Sequence, residues 1–324
     1  MKTWLKTLAA AAALTIGAAP HTAAARPYPD RPIRLVVTLT AGSPPDIIAR
    51  IVAQKLGKLW NAPVIVENKP GATGAIGMAE VARAKPDGYT VGLMYMTHTV
   101  LPSLMGKLTY DTAKDLAPIG QAVWAYNVLC VPANSPYHTL KDIVAAARAH
   151  PDSLTFGSGG TGSPSHLIAE IVRQKLGLSL RHIPYRGPSE ALSGLLGGQV
   201  DMMFVTTSVA AENIKDGKIR ALAVTGPKRL AAMPQVPTLA ELGLQGVELR
   251  EWEGFVAPSG TDPAIIAKWN RGLAQVLAMP DVRQKFAVLG LDPQASTAQA
   301  FGALIESSLE RWPVVVREAH ITAG

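Results

Sequence analysis

Two glycine-containing loops hold the residues of this 324-residue chain that are best suited to binding a small anion. One loop is residues 42–46, with the sequence GSPPD, and the other is residues 157–166, with the sequence GSGGTGSPSH. Backbone N–H groups in such loops, together with serine and threonine hydroxyls, form concave sites that bind carboxylates. The residue types therefore predict a site for an organic acid. The predicted ligand contacts are Gly42, Ser43, Asp46, Thr97, His98, Ser158, Gly159, Gly160, Thr161, Gly162, Ser163, His166 and Tyr185.

The two loops belong to one sequence motif that occurs twice. Residues 42–57 and residues 162–177, 120 positions later, are identical at eleven of sixteen positions. Each copy follows an apolar run typical of a strand and then begins as a helix does, with serine at the N-cap and proline at the first helical position. Gly57 and Gly177 are expected to end these helices.

The starts of these two helices predict how the anion is bound. A helix N-terminus has unpaired N–H groups and about half a positive charge, so two such ends facing each other bind an anion between them. Ser43 and Ser163 lie at these ends. The duplicated motif therefore predicts two lobes with the ligand between them; two good helices without a binding role remain the alternative.

Asp46 has two possible roles. As the third residue of the first predicted helix, it can complete a capping box with Ser43. Its carboxylate can also face the ligand and accept a hydrogen bond from a hydroxyl, an amine or a water. The two roles are compatible, because one oxygen can cap while the other faces the ligand. His166 occupies the same place in the second copy.

The N-terminal segment, residues 1–25, is typical of an export signal. Lys2 and Lys6 precede an apolar stretch at 7–19, and residues 23–25, AAA, form a small-residue cleavage site. The apolar stretch is shorter than the about 20 residues that span a bilayer. The mature protein is therefore expected to be exported and cleaved near Ala25.

Composition excludes several classes of partner. The formal net charge is +7, and removing the signal, with its two lysines and no acid, lowers the charge to +5. Basic residues are scattered and no nucleic-acid-reading motif occurs, so nucleic acid is not an expected partner. Cys130 is the single cysteine, which excludes an intrachain disulfide, and its apolar neighbours predict a buried side chain.

Each copy of the motif continues into further strands and helices, which predicts a β-α-β-α-β unit. The first copy continues into a strand at 64–66, a helix at 75–83 and a strand at 89–94; the second continues into a strand at 178–183, a helix at 189–196 and a strand at 200–205. Short connections of this kind form parallel sheets covered by helices. Ligands of such sheets bind at the carboxyl ends of the strands, where Thr97, His98 and Tyr185 are expected.

The C-terminal region has no third copy of the unit, so it is expected to pack on the first lobe. It contains a strand at 252–256 and helices at 263–277, 281–289 and 297–317. The chain would then cross between the lobes near Gln121 and Thr225, and two crossing segments make a hinge. The predicted organisation is lobe 1 at 26–121 and 226–324, and lobe 2 at 122–225.

The second loop also fits a dinucleotide-binding motif. Residues 157–162 match G-x-G-x-x-G between a strand and a helix. The acid that binds the ribose about 20 residues further on is missing, because residues 179–183, SLRHI, contain no carboxylate. A carboxylate-binding loop is therefore favoured over a dinucleotide site, and a tight turn without a ligand remains an alternative.

Motifs typical of hydrolases and of zinc sites are missing from the sequence. There is no G-x-S-x-G, H-E-x-x-H or C-x-x-C, and the histidines are dispersed. Ser163, Ser165 and His166 are close along the chain, but no orienting acid is evident. No catalytic residue, metal or cofactor is predicted. An exported enzyme acting on an organic acid and a ligand-sensing partner of a membrane sensor remain the rival functions.

A series of short motifs occurs in order along almost the whole mature chain, from Tyr28 to Trp312. The motifs are at residues 42–46, 66–71, 86–90, 158–166, 184–187, 195–204, 220–225 and 236–238. They resemble those of the Bug receptors, the periplasmic solute-binding components of tripartite tricarboxylate transporters.

This resemblance implies a fold, a location and partners. The expected fold is α/β, a two-lobed periplasmic binding protein (type II-like), each lobe a mostly parallel sheet flanked by helices, with the ligand cleft between the lobes. The ligand is expected to be a small carboxylate held largely by backbone groups of the two loops. The expected partners are the membrane permease subunits, the location is the periplasm, and the protein is expected to be a monomer.

Two departures from the family pattern concern the ligand. The first loop usually reads Pro-Pro-Gly-Gly before the acid, whereas GSPP precedes Asp46 here. After the Met203-Phe204 pair the family often has Asp or Gly, whereas this chain has Val205. If Val205 lines the pocket, an acceptor for a ligand amine is missing there, which argues against an amino acid as ligand.

Overall fold

The computed structural model of the protein describes residues 28–245, 247, 250–318 and 321. The expected export signal, residues 1–25, lies outside the described residues. None of the described helices is both long enough and apolar enough to cross a membrane.

Strands and helices alternate through most of the described chain. The strands are β1 Ile33–Val37, β2 Val64–Asn68, β3 Thr90–Tyr95, β4 Leu116–Ala125, β5 Asn127–Pro132, β6 Thr155–Ser158, β7 Arg181–Pro184, β8 Met202–Thr206, β9 Ile219–Val224, β10 Glu251–Pro258 and β11 Asp292–Pro293. The helices are α1 Pro44–Trp60, α2 Ala75–Ala82, α3 Thr97–Leu104, α4 Leu140–Ala149, α5 Pro164–Leu176, α6 Pro188–Leu196, α7 Thr207–Lys215, α8 Pro263–Ala278, α9 Pro280–Val288 and α10 Ala298–Glu318.

The strands form two mixed sheets, one in each lobe. The first sheet has the order β11-β4-β10-β3-β1-β2, and the second has the order β7-β6-β8-β5-β9. Within each duplicated unit the strands are parallel. The α/β fold with two lobes is confirmed. The sheets are mixed rather than mostly parallel, because β10 and β5, which each enter from the other lobe, run antiparallel to their neighbours.

The chain passes between the sheets at two places. The first is Tyr126, because β4 in the first sheet ends at Ala125 and β5 in the second begins one residue later. The second lies between β9 and β10, where Leu239 N–H donates to Val224 O and keeps the intervening segment beside the second sheet. Both places lie close to the crossings expected from the sequence. The residue limits of the two lobes remain a prediction.

The two duplicated helices end differently. Gly177 has a φ of 60° and ends α5, which confirms its expected role. Gly57 does not end α1, which continues to Trp60 with Asn61 in the left-handed region at a φ of 50°. Packing explains the extra turn, because the ring of Trp60 lies against Trp269 of α8 with 5.0 Å between centroids. The prediction of a stop at Gly57 was therefore wrong.

Two apolar cores flank the first sheet. One face is covered by α1 and α8, where Ile48, Phe255 and Trp269 are fully buried. The core on the other face extends from Val100 of α3 to Leu167 of α5 and so connects the two lobes. The cleft between the sheets is therefore framed by packed elements of both lobes.

Candidate functional site

A cavity of about 90 Å³ lies between the two sheets. This volume gives room for several water-sized groups and suits a small molecule. Residues of the first lobe and residues of the second lobe line opposite sides of it. The lining is Leu39, Pro44, Pro45, Thr73, Tyr95, Thr97, Asn127, Gly159, Ser163, Pro164, Ser165, Pro188, Met203, Phe204, Val205, Thr206, Val209, Glu251 and Glu253.

The starts of α1 and α5 both reach the cavity. Pro44 and Pro45 line it from one lobe, and Pro164 and Ser165 line it from the other. Both helices begin directly after a strand-loop segment of their own sheet, so their N-termini lie at the carboxyl ends of β1 and β6. This is the edge of an α/β sheet at which ligands bind.

Asp46 fixes the loop that precedes α1. Its Oδ2 atom accepts hydrogen bonds of 2.9 Å from Gly42 N and from Arg50 Nε, and its Oδ1 atom accepts one of 2.9 Å from Asn68 Nδ2. Burial alone would raise the pKa of Asp46, but the hydrogen bonds from Arg50, Gly42 and Asn68 lower it, so the carboxylate is charged. Ser43 makes no side-chain capping bond. The capping-box interpretation was therefore wrong: Asp46 holds the N–H of Gly42 instead.

His166 fixes the corresponding loop before α5. Its Nδ1 atom accepts a hydrogen bond of 3.0 Å from Gly162 N. Its ring stacks on His182 with 3.9 Å between centroids, and His182 stacks in turn on Phe156 at 4.8 Å. Burial, with added repulsion from His182 and Arg173, lowers the pKa of His166 to about 3, so the ring is neutral at physiological pH.

The second loop uses several of its own N–H groups internally. Gly159 N donates to Ser165 Oγ at 3.1 Å, and Gly160 N donates to Ser158 Oγ at 3.1 Å. Together with the bond from Gly162 to the imidazole, three N–H groups of the predicted nest bond within the loop. The loop is thus rigidly held, and the donors open to a ligand lie in the first turn of α5.

The two helix starts offer different numbers of donors. The first-turn N–H groups of Ser165 and His166 in α5 have no intrahelical acceptor. In α1 the corresponding first two residues are Pro44 and Pro45, which have no N–H, so only Asp46 contributes one. The second lobe therefore offers the stronger anion-binding end.

The predicted ligand contacts divide into three groups. The first group lines the cavity and consists of Thr97, Gly159 and Ser163. A second group lies in the two loops outside the cavity lining: Gly42, Ser43, Asp46, Ser158, Gly160, Thr161, Gly162 and His166.

The third group, His98 and Tyr185, is not part of the cavity lining. The imidazole of His98 is fully buried, with its Nε2 atom 3.2 Å from Thr38 Oγ1, and burial lowers its pKa to about 4. The hydroxyl of Tyr185 donates to Gln199 Oε1 at 3.2 Å. The proposal of these two residues as ligand contacts gains no support from their positions.

Sequence reasoning missed the polar wall that β10 contributes. Glu251 and Glu253 line the cavity with Trp252 between them, whose side chain lies on the opposite face and donates to Ser308 Oγ at 3.1 Å. All eight residues of β10 are buried. Two acids at alternate positions of an otherwise apolar strand were the available signal, because buried carboxylates are rare without a partner or a role.

Burial favours the protonated, neutral form of both glutamates. It raises the pKa of Glu251 to about 7, although a hydrogen bond from Asn127 Nδ2 opposes this shift. Burial and the neighbouring Glu251 raise the pKa of Glu253 well above its ordinary value. The Oε2 atom of Glu253 has no hydrogen-bond partner in the described part of the chain. Within that same part, no group of three or more histidine, cysteine, aspartate or glutamate residues is placed to hold a metal ion.

Fold and cleft together define a class of protein. Two α/β lobes, connected twice, enclose a cavity at which two helix starts and the ends of both sheets meet. This is the architecture of a two-lobed solute-binding protein.

Residues 48–321 match the family of tripartite tricarboxylate transporter receptors, and the chain belongs to this family. Its sequence is 38% identical to the "UPF0065 protein in gbd 5'region" of Cupriavidus necator, over 96% of this chain and 94% of that protein. It is 34% identical to Protein BugT of Bordetella pertussis, over 90% of each chain. The resemblance to Bug receptors is confirmed.

Solved structures of similar fold include a periplasmic binding protein and two proteins with a carboxylate. The periplasmic binding protein BugD is 33% identical with a TM-score of 0.84, covering 91% of this chain and 99% of that one. Rpa4515 of R. palustris with adipate is 29% identical with a TM-score of 0.87, covering 91% and 99%. MatC of Rhodopseudomonas palustris with bound malate is 29% identical with a TM-score of 0.82, covering 89% and 100%.

Proposed function

We propose that this protein is a periplasmic receptor that binds a small organic carboxylate between its lobes and delivers it to the membrane subunits of a tripartite transporter. The observation that supports this most directly is the meeting of the α1 and α5 helix starts at one cavity. Their unpaired N–H groups and partial positive charge attract a carboxylate. The adipate and malate in two structural neighbours fit the same class of ligand.

The protein binds its ligand without converting it. Ser158 Oγ lies 2.6 Å from His182 Nε2, the contact that would activate a nucleophile, but Ser158 is fully buried and does not line the cavity. A nucleophile must reach its substrate, so this pair is a structural hydrogen bond of the second loop. Incubating the protein with a ligand and recovering that ligand unchanged tests this part of the proposal.

The receptor acts in the periplasm as a monomer. Export follows from the basic and apolar N-terminal segment, whose cleavage near Ala25 is measured by N-terminal sequencing of the secreted protein. Size-exclusion chromatography with light scattering checks the monomeric state. A pull-down against the permease subunits and against membrane sensor domains separates transport from sensing, because only the true partner should distinguish ligand-loaded from ligand-free protein.

Thermal unfolding with a panel of organic acids tests the central claim. A carboxylate present at about 100 times its dissociation constant stabilises the protein by about 2.7 kcal/mol. Native mass spectrometry first establishes that the preparation is ligand-free. A broad acid panel that produces no shift in such a preparation contradicts the proposed function.

A further inference from the structure

Among the described residues that line the cavity, the ionisable side chains are all acidic. Glu251 and Glu253 contribute the only carboxylates, and no lysine, arginine or histidine is among the described residues that line it. Both glutamates are buried, with 9% and 4% of their surface exposed. A buried carboxyl group needs a donor or a cation beside it to be stable in charged form.

Glu253 lines this space, and the described residues leave its carboxyl group partly unsatisfied. Its Oε2 atom is buried and has no hydrogen-bond partner in the described residues. Glu251 differs, because its Oε1 atom accepts a hydrogen bond from Asn127 at the start of β5. Thr97 Oγ1 at the same cavity is likewise buried and unpartnered among the described residues. Two residues of the cavity lining thus have polar groups that no described residue satisfies.

The two sides of the cleft differ in electrostatic character. The α5 side presents two N–H groups at a helix start, and the residue that holds its loop, His166, is neutral. The β10 side presents the two glutamates, and the loop before α1 on the same lobe contains the charged Asp46. A ligand with one negative end and one positive end fits this gradient, whereas a second negative charge would lie beside carboxyl groups.

We propose that the ligand is a small amino-carboxylate, whose carboxylate binds at the start of α5 and whose cationic nitrogen binds between Glu253 and Glu251. This inference rests on the proposed function and specifies its substrate class. The acceptor for a ligand amine, which the sequence placed in doubt at Val205, comes instead from β10. Val205 lines the cavity and gives the carbon chain an apolar contact.

Proton release on binding follows from this arrangement. In the free cleft, burial favours the protonated form of both glutamates, and the titratable side chains that face Glu253 are Glu251 on its own strand and Tyr95 on β3 opposite. A cationic nitrogen favours the carboxylate forms, so binding near neutral pH releases protons. A dicarboxylate would instead require the glutamates to keep their protons and donate hydrogen bonds.

Isothermal titration with matched probes tests the inference. The probes are the amino-carboxylates β-alanine, γ-aminobutyrate and δ-aminovalerate, the dicarboxylates succinate, glutarate and adipate, and the monocarboxylates butyrate and valerate. We expect at least one amino-carboxylate to bind tighter than its dicarboxylate and monocarboxylate counterparts by about tenfold or more. Repeating the titration in two buffers of different ionisation enthalpy should show proton release.

Glu253→Gln keeps the size of the side chain and removes its charge. It should weaken the amino-carboxylate by roughly thirtyfold, because one partner of a buried charge pair is lost. Glu306→Gln, an exposed residue of α10 outside the cavity lining, is the matched control and should bind as wild type does. Thermal unfolding of both variants shows that each is folded.

The possible results separate the two proposals. If a dicarboxylate binds tighter than every amino-carboxylate, and Glu253→Gln binds it as well or better, the amino-carboxylate inference is overturned while the carboxylate receptor stands. Unchanged binding of an amino-carboxylate to Glu253→Gln also overturns the inference. If no probe binds to ligand-free protein, the carboxylate receptor itself fails, and the inference fails with it.

Discussion

The start of α1 and the start of α5 have the same backbone conformation but differ in electrostatic arrangement. Gly42 and Gly162 have φ angles of 80° and 77°, and the N-cap residues Ser43 and Ser163 have φ of −70° and −65° with ψ of 158° and 156°. In both, the side chain three residues after the N-cap accepts a hydrogen bond from the glycine N–H. The duplicated sequence therefore reproduces the loop closely.

Charge is the property that the two copies do not share. In α1 the acceptor is the charged Asp46, which pairs with Arg50 at 2.9 Å one turn later. In α5 the acceptor is the neutral imidazole of His166, with the carboxylate of Glu170 3.9 Å from its Nε2. The order of acid and base along the helix is thus reversed. The comparison shows that the loop needs an acceptor for its glycine N–H and that either an anion or a neutral ring can provide it.

The largest expected difference between the copies is the effect of alanine at the two glycines. Both φ angles are positive, so both substitutions strain the backbone by about 1 kcal/mol. A Cβ atom at Gly162 would also lie 1.9 Å from Leu104 Cδ1 of α3, whereas at Gly42 it meets nothing within 4 Å. Gly162→Ala should lower the free energy of unfolding by about 3 kcal/mol and Gly42→Ala by about 1 kcal/mol, measured by urea denaturation. Equal effects would show that Leu104 moves aside freely.

Because of this clash, a larger side chain at Gly162 would test packing as well as ligand binding. A Gly162→Val variant that binds no ligand could lose binding because α3 and the second loop no longer pack together. Ligand titration should therefore be accompanied by the melting temperature, and only a loss of affinity beyond the loss of stability implicates the loop in binding.

Acid should destabilise the second loop before the first. The pKa of His166 in the folded state, about 3, is below its ordinary value, so its unfolded state binds more protons and stability falls as pH drops from about 6.5 toward 3. Between about pH 7 and about pH 5 this amounts to about 2 kcal/mol. His166→Asn keeps an acceptor for Gly162 N–H but does not titrate, so its stability difference from wild type should shrink on acidification.

Asp46 provides the contrasting behaviour in the first loop. Its folded-state pKa is lowered, so its stabilising contribution is present above about pH 4 and is lost only below that. The stability difference between Asp46→Asn and wild type should therefore be constant between about pH 7 and about pH 5. Urea denaturation of both variants at each pH makes the measurement. A difference for Asp46→Asn that changes across this range would contradict the assignment of a charged, hydrogen-bonded carboxylate.

Serine substitutions at the two helix starts should have smaller effects. Ser165→Ala removes the acceptor of Gly159 N–H and should cost about 1 kcal/mol of unfolding free energy. Ser43→Ala should change stability by less than about 0.5 kcal/mol, because its buried Oγ has no hydrogen-bond partner in the described residues. Thermal and urea unfolding decide the matter, and a large loss in Ser43→Ala would reveal a partner such as a bound water.

The smallest effect is expected when the first turn of α1 is changed to resemble that of α5. Pro45→Ser adds an N–H group and a hydroxyl where α5 has Ser165, and should lower stability by about 0.5 kcal/mol by loosening the unfolded chain. The added donor should strengthen binding of a carboxylate probe by about threefold. Pro45→Ala is the control that adds the N–H alone. If neither variant gains affinity, the carboxylate does not contact the start of α1.

Much of the fold could be predicted because its signals are local. The strands predicted at 64–66 and 200–205 occur as β2 and β8, and the helix predicted at 189–196 occurs as α6, each with bounds that differ by two residues or fewer. Two helices, α3 and α7, were missed because each begins directly at the end of a strand and has no separating turn signal. The largely apolar run at 123–131 is divided between β4 and β5, which belong to different sheets.

By itself, the sequence determined the duplicated strand-loop-helix unit, the two-lobed α/β fold and the family, because caps, prolines, glycines and apolar periodicity act over a few neighbouring residues. Only the tertiary structure decided that Asp46 faces its own loop, that His98 is enclosed in the first lobe and that the acids of β10 line the cleft. The reason is that β10 enters the first sheet from far along the chain. Which face of such a strand meets the opposite lobe depends on its pairing with β3 and β4, and no local pattern encodes that register.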